Sequence, residues 1–183
     1  MVIIIEGIDR VGKTTLANMI SKKYHIPIFK QERIEKGTLA ALGKIGNYYE
    51  NYIRAKSLVE FWNSDSFTQD IIIDRFHWTE AVYSWVDRDA KVPAEFMLYT
   101  YDSVQRLMSK KRDKYIIIYV KPTDIEWSSQ QHGKDLRMHN DMFEVVRNYS
   151  VCDNVLTPNN IIDCTYNEFE DVLDTLYNYL LRW

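Results

Sequence analysis

Gly7-Ile8-Asp9-Arg10-Val11-Gly12-Lys13-Thr14 is the stretch on which the reading of the whole chain turns. It fits the pattern G-x-x-x-x-G-K-[ST], follows the apolar run Val2–Glu6 and opens a stretch with helical spacing. A strand before and a helix after are what such a loop requires. The residue types carry the chemistry. Glycine at 7 and 12 permits backbone angles and close approaches that a Cβ blocks. Backbone N–H groups and the helix N-terminus bind phosphate oxygens. Lys13 is placed to reach the β- and γ-phosphates, and the Thr14 hydroxyl to coordinate Mg²⁺. The loop predicts binding of a nucleoside triphosphate; the alternative is a glycine-rich turn with no ligand.

Working outward, short apolar runs recur: Val2–Glu6, Ile26–Phe29, Ile71–Asp74, Tyr115–Val120 and Ile161–Asp163. They are rich in Ile and Val and continuous rather than alternating, as strands covered on both faces are. Between them lie helical patterns at Lys13–Tyr24, Gly37–Trp62, Pro93–Lys111 and Met138–Tyr149. Asn167–Leu181 places Phe169, Val172, Leu173, Leu176 and Leu180 on one helix face. Strand and helix in alternation predict a three-layer α/β fold with a mainly parallel five-stranded sheet flanked by helices. Ligands of such sheets bind at the carboxyl ends of the strands, so the polar residues after each run are the candidates.

Composition narrows the class. The 183 residues suit one domain spanning 1–183, and no repeat or Pro/Gly/Ser linker divides them. Lys+Arg at 23 against Asp+Glu at 26 gives a net charge of −3, which argues against a nucleic-acid partner. No apolar run approaches the roughly 20 residues of a membrane span, and no signal peptide is evident, so no membrane is expected. Cys152 and Cys164 are the only cysteines and have no metal-ligand spacing. A reducing, cytoplasmic setting is expected. His25, His77, His132 and His139 also show no ligand spacing.

The segment Glu6 to Thr15 closely resembles the opening of the thymidylate kinases, within the wider class of P-loop nucleotide and deoxynucleoside kinases. Asp74-Arg75-Phe76-His77-Trp78-Thr79-Glu80-Ala81-Val82-Tyr83 resembles that family's D-R-[YH]-x-x-S-x-x-A-[YF] segment, with Thr79 in place of the usual Ser. Ile161-Ile162-Asp163-Cys164 resembles its closing "V-I-D-A" strand. The resemblance implies transfer of the ATP γ-phosphoryl to dTMP, giving dTDP, with ATP and Mg²⁺ as cofactors and a homodimer as the assembly. The ATP-binding set is then Gly7, Asp9, Arg10, Val11, Gly12, Lys13, Thr14, Thr15 and Arg137, with Thr14 and Asp74 at the metal. Lys13, Arg10, Asp74 and Arg75 are the implied catalytic residues.

The same resemblance distributes the acceptor contacts. Asp9 matches the family's contact to the acceptor 3′-hydroxyl; Arg10 matches an arginine that one branch points at the transferred phosphoryl. Arg75 matches the residue that grips both phosphates, and Arg33 the one holding the monophosphate. Arg54, 21 residues before Arg75 (75 − 54), matches the base-reading arginine. Tyr49, Phe76 and Tyr83 are the aromatics expected at the acceptor. Arg33 and Arg54 read alternatively as solvated arginines, and the aromatics as core. A short lid is expected at about 128–138, a polar loop containing Gly133, Lys134 and Arg137.

Two other functions stay open on the residues. A deoxynucleoside kinase requires a carboxylate to take the 5′-hydroxyl proton, and Glu32 is available for it. A nucleotide switch of the GTPase kind requires an N-K-x-D segment, and the chain has none.

Overall fold

The computed structural model describes residues 1–29, 36–86, 94–133, 135–152 and 160–181. Strand β1 (Val2–Glu6) is its centre. Four consecutive β-branched residues favour extended backbone, and every residue of β1 is buried, as a central strand with two covered faces requires. β2 (Ile28–Phe29), β3 (Ile71–Asp74), β4 (Tyr115–Val120) and β5 (Ile161–Cys164) complete a parallel sheet in the order β2-β3-β1-β4-β5. Register sets Ile5 beside Asp74 on one side and beside Ile118 on the other. β1 is therefore the strand at which the chain order reverses, and its carboxyl end opens the crevice where such sheets bind ligands.

The helices are α1 (Lys13–Tyr24), α2 (Lys36–Asn63), α3 (His77–Val86), α4 (Ala94–Ser109), α5 (Ile125–His132), α6 (Arg137–Cys152) and α7 (Phe169–Leu180). They flank the sheet and make the three-layer α/β fold that the alternation predicts. α1 buries Leu16, Ala17 and Ile20. α7 buries Phe169, Val172, Leu173 and Leu176, the expected face. Each of these side chains larger than Ala17 contributes about 1.5–3 kcal/mol through apolar burial. α2 packs on α4, and α3 on α6.

Two expectations need correcting. β2 is shorter than the run Ile26–Phe29, because Pro27 has no N–H for the ladder; its carbonyl alone pairs, accepting from Ile72 N–H at 3.0 Å. The segment expected as a polar lid loop is mostly a helix corner. α5 runs to His132, Gly133 ends it at φ 80, and α6 restarts at Arg137. Asp124 caps α5, accepting from the N–H groups of Glu126 and Trp127 at 2.8 and 3.0 Å. Among the described residues no helix is long and apolar enough to cross a membrane.

Candidate functional site

The loop between β1 and α1 has the strain its sequence foretells. Gly7 sits at φ 141, and a Cβ there would strike the carbonyl oxygen of Val120 at the end of β4. Gly12, at φ 92, begins α1, and a Cβ would lie 2.7 Å from the Tyr166 ring. Neither position accepts a side chain without moving backbone or a packed aromatic. Arg10 and Arg75 also have positive φ, 68 and 74, a conformation that costs a non-glycine residue on the order of 1–3 kcal/mol and collects at functional sites.

Parallel pairing brings the second motif to the loop. Arg75 N–H donates to Ile5 O at 3.0 Å, so the residues after β3 lie against those after β1. From there Arg75 reaches Asp9, with Nη2 2.5 Å from Oδ1. His132, from the last turn of α5, places Nε2 2.7 Å from Oδ2 of the same carboxylate. The Asp9 N–H donates to the Tyr83 hydroxyl at 3.0 Å. Burial pushes the Asp9 carboxyl up, but Arg75, Lys13 and His132 outweigh it and hold the group below the usual carboxylate range.

Lys13 is buried and donates its Nζ proton to the Ile8 carbonyl inside the loop. Burial, seconded by the Arg75 charge, lowers its ammonium to about 7. Thr14 Oγ1 donates to Asp74 Oδ2 at 2.7 Å, while Asp74 Oδ1 is buried with no hydrogen-bond partner among the described residues. A hydroxyl and a carboxylate with a spare oxygen suit a hard cation that takes oxygen ligands, so the donor set fits Mg²⁺. Arg10 is exposed at the mouth of the same cavity.

That cavity, about 780 Å³, is lined by the loop from Asp9 to Thr15, by Arg75, and by residues that sequence reasoning missed. Trp127 and Tyr166 stand on its wall, both about half exposed. They come from segments 39 residues apart (166 − 127), so no local pattern joins them. Glu6 was quoted within the motif but given no role. It is fully buried and accepts from Phe76, Trp78 and Thr79 N–H groups at 3.0–3.1 Å and from the Thr79 hydroxyl. It thus caps α3 from another strand. Burial pushes its carboxyl up to about 7 against the pull of these donors.

Other expected residues lie elsewhere. Phe76 is buried against Trp62 and His77, with ring centroids 5.3 and 5.0 Å away, and does not line the cavity. Tyr49 is exposed beside Tyr52 on α2. Arg54 is exposed and paired with Glu50 at 2.9 Å, one helical turn away. Arg137 is exposed and bound to Asp135 at 2.7 Å rather than facing the loop. Arg33, Glu32 and Lys134 fall outside the described residues.

This sheet order with a phosphate-type loop after β1 is the fold of the P-loop kinases, and solved structures share it. The YorR protein from Bacillus subtilis, in complex with phosphorylated GDP, is 19% identical with a TM-score of 0.64, over 98% of this chain and 95% of that one. Deoxyadenosine kinase from M. mycoides with bound dATP is 18% identical, TM-score 0.62, over 97% of this chain and 100% of that one. Thymidylate kinase from Candida albicans is 16% identical, TM-score 0.57, covering 99% and 91%. These likenesses show the fold. No protein-family model matches the chain, and no curated protein matches it.

Proposed function

We propose that the chain is an ATP-dependent deoxynucleoside monophosphate kinase, with dTMP as the acceptor and dTDP as the product. The observation that carries this is the meeting of Lys13, the Thr14–Asp74 pair and the Asp9–Arg75 pair where β1 and β3 end side by side, at a cavity large enough for a nucleotide. Loop N–H groups and Lys13 hold the β- and γ-phosphates. An ionised oxygen of the acceptor phosphate forms a bond to the γ-phosphorus, the bond to the β,γ-bridging oxygen breaks, and ADP leaves. No general base is required, because the attacking oxygen carries no proton.

Arg10 and Arg75 stabilise the charge on the transferring oxygens, Arg10 acting from within the loop. Thr14 and Asp74 hold Mg²⁺, which when bound neutralises phosphate charge. Trp127 and Tyr166 offer ring faces to the donor base, and Asp9 accepts from a hydroxyl of the acceptor sugar. The chain is taken as one domain, in a reducing compartment, and as a homodimer. Arg54 serves the acceptor base after leaving Glu50, and Tyr49 lies on the same helix. Phe76 and Tyr83 support this side from α3 and its start. Arg33 grips the monophosphate, and Arg137 reaches the donor phosphates only after leaving Asp135.

The test is kcat/KM with Mg-ATP over a panel of deoxynucleoside monophosphates, where dTMP should lead. A purine leading would move the acceptor to another base while leaving the reaction class intact. The likeness to deoxyadenosine kinase favours a second reading, in which the acceptor is a 5′-hydroxyl and Glu32 takes its proton. Under that reading Glu32→Gln lowers kcat by about 10²–10⁴-fold, and Arg33→Ala is the milder change. Under the first reading the order reverses.

A further inference from the structure

Asp9 is held by two partners of different origin. Arg75 belongs to the strand end beside it, whereas His132 comes from the helix corner 123 residues later (132 − 9). The His132 contact is sheltered, with side-chain exposures of 25% for the imidazole and 16% for the carboxylate. Among the described residues it is the hydrogen bond or ion pair that joins segment 125–137 to the phosphate loop. The other polar contacts of that segment are local. Asp124 caps α5, Ser129 Oγ accepts from Leu136 N–H at 2.9 Å, and Asp135 binds Arg137.

We propose that His132 is a positioning residue, which seats the α5–α6 corner on the phosphate loop through Asp9 and holds the Asp9–Arg75 pair in register for phosphoryl transfer. The kinetic part rests on the kinase reading above; the seating part does not. His132 Nε2 meets Oδ2 at 2.7 Å, while the Arg75 guanidinium lies 2.5 Å from Oδ1 as an ion pair without hydrogen-bond geometry, so the imidazole is the hydrogen-bonding partner that orients the Asp9 carboxylate toward Arg75. Tyr83 fixes the backbone end of the same residue from α3. Removing His132 frees Oδ2, loosens the hold on the Asp9–Arg75 pair and detaches the last turn of α5 from the phosphate loop. The imidazole need not touch the nucleotide. Its Nδ1 is buried and has no hydrogen-bond partner among the described residues, so the working contact is the one on Asp9.

The experiment compares the wild type with His132→Ala and His132→Gln, Gln placing an amide N–H near the position of Nε2. Hydrogen exchange on the ligand-free protein reads the seating directly. Amides of residues 125–133 should exchange roughly 10-fold faster in His132→Ala, the weight of one charge-assisted hydrogen bond, and return toward wild type in His132→Gln. Kinetically, His132→Ala should lower kcat by a similar factor with KM for ATP nearly unchanged, and Gln should restore most of it. In an Asp9→Ala background, His132→Ala should add nothing further. Unchanged exchange in His132→Ala overturns the seating, and a full additive penalty in the Asp9→Ala background overturns the positioning role. If the wild type phosphorylates no acceptor, the kinase reading fails by itself, and the exchange result still decides the seating.

Discussion

Glu6 and Asp9 stand three residues apart (9 − 6) at one strand end, and their surroundings are opposite. Glu6 is sealed and bound to donors that the fold itself supplies, the amides of residues 76, 78 and 79 and a threonine hydroxyl. Asp9 faces the cavity and is bound by two side chains, one of them from the α5–α6 corner. One carboxylate braces the fold, and the other stands open to the cavity. A buried acid tied to backbone amides fixes where α3 begins, and so where Arg75 stands. A half-open acid held between side chains stands where a ligand in the cavity can reach it.

Substitutions break this comparison at different points. Lys13, whose charge acts on both acids, should give the largest effect: Lys13→Met keeps the stem, removes the ammonium and lowers kcat/KM by at least about 10³-fold. The same variant carries a pH signature. Burial lowers the Lys13 ammonium from 10.5 to about 7, so between those values the unfolded chain holds a proton the native state lacks. Stability gains from rising pH in that window, and thermal melts of Lys13→Met should lack that gain. Glu6 acts with the opposite sign, its carboxyl being raised from 4.5 to about 7. Its contribution falls as pH rises through that lower window, and in Lys13→Met, without the ammonium that holds the carboxyl down, the fall should extend to higher pH.

Arg10→Gly comes next. If the guanidinium acts on the transferring group, kcat falls roughly 10³-fold with KM little changed. Glycine also adopts φ 68 without strain, so Tm should hold. A pure KM effect would transfer the role to Arg137. Glu6→Gln should act on stability instead, because its amide turns a donor toward the Thr79 or Phe76 and Trp78 donors. A loss of about 1–3 kcal/mol in denaturant unfolding is expected, with kcat kept in the folded fraction. The smallest effect belongs to Tyr83→Phe, which takes one acceptor from the Asp9 N–H. A cost of about 1 kcal/mol should appear as a several-fold fall in kcat/KM.

Much of this was open to reading because it is local. Val2–Glu6, Ile71–Asp74 and Tyr115–Val120 are buried on both faces, so their residues are apolar without alternation, and their bounds match the observed strands. The phosphate loop declares itself through two glycines and a lysine in eight residues. What was missed depends on distant partners. Glu6 closes an apolar run, but its amide donors lie some 70 residues on. His132 belongs to a polar stretch whose Gln and His residues suggest a loop. Asp124 and Gly133 did mark the two ends of α5, as a capping acid and a left-handed terminator, and reading them would have found the helix. Trp127 then follows as a residue of its first turn, although its place on the same cavity wall as Tyr166 needs the sheet.

On the proposed reading, the site at the end of β1 moves a phosphoryl group from ATP onto a nucleotide phosphate. It is tested most directly by following ADP release from Mg-ATP with dTMP and with thymidine side by side, Lys13→Ala serving as the control. Release should depend on dTMP, yield dTDP, be far weaker with thymidine and disappear in the control. Release driven by thymidine alone, or turnover of dTMP by Lys13→Ala at the wild-type rate, would contradict it.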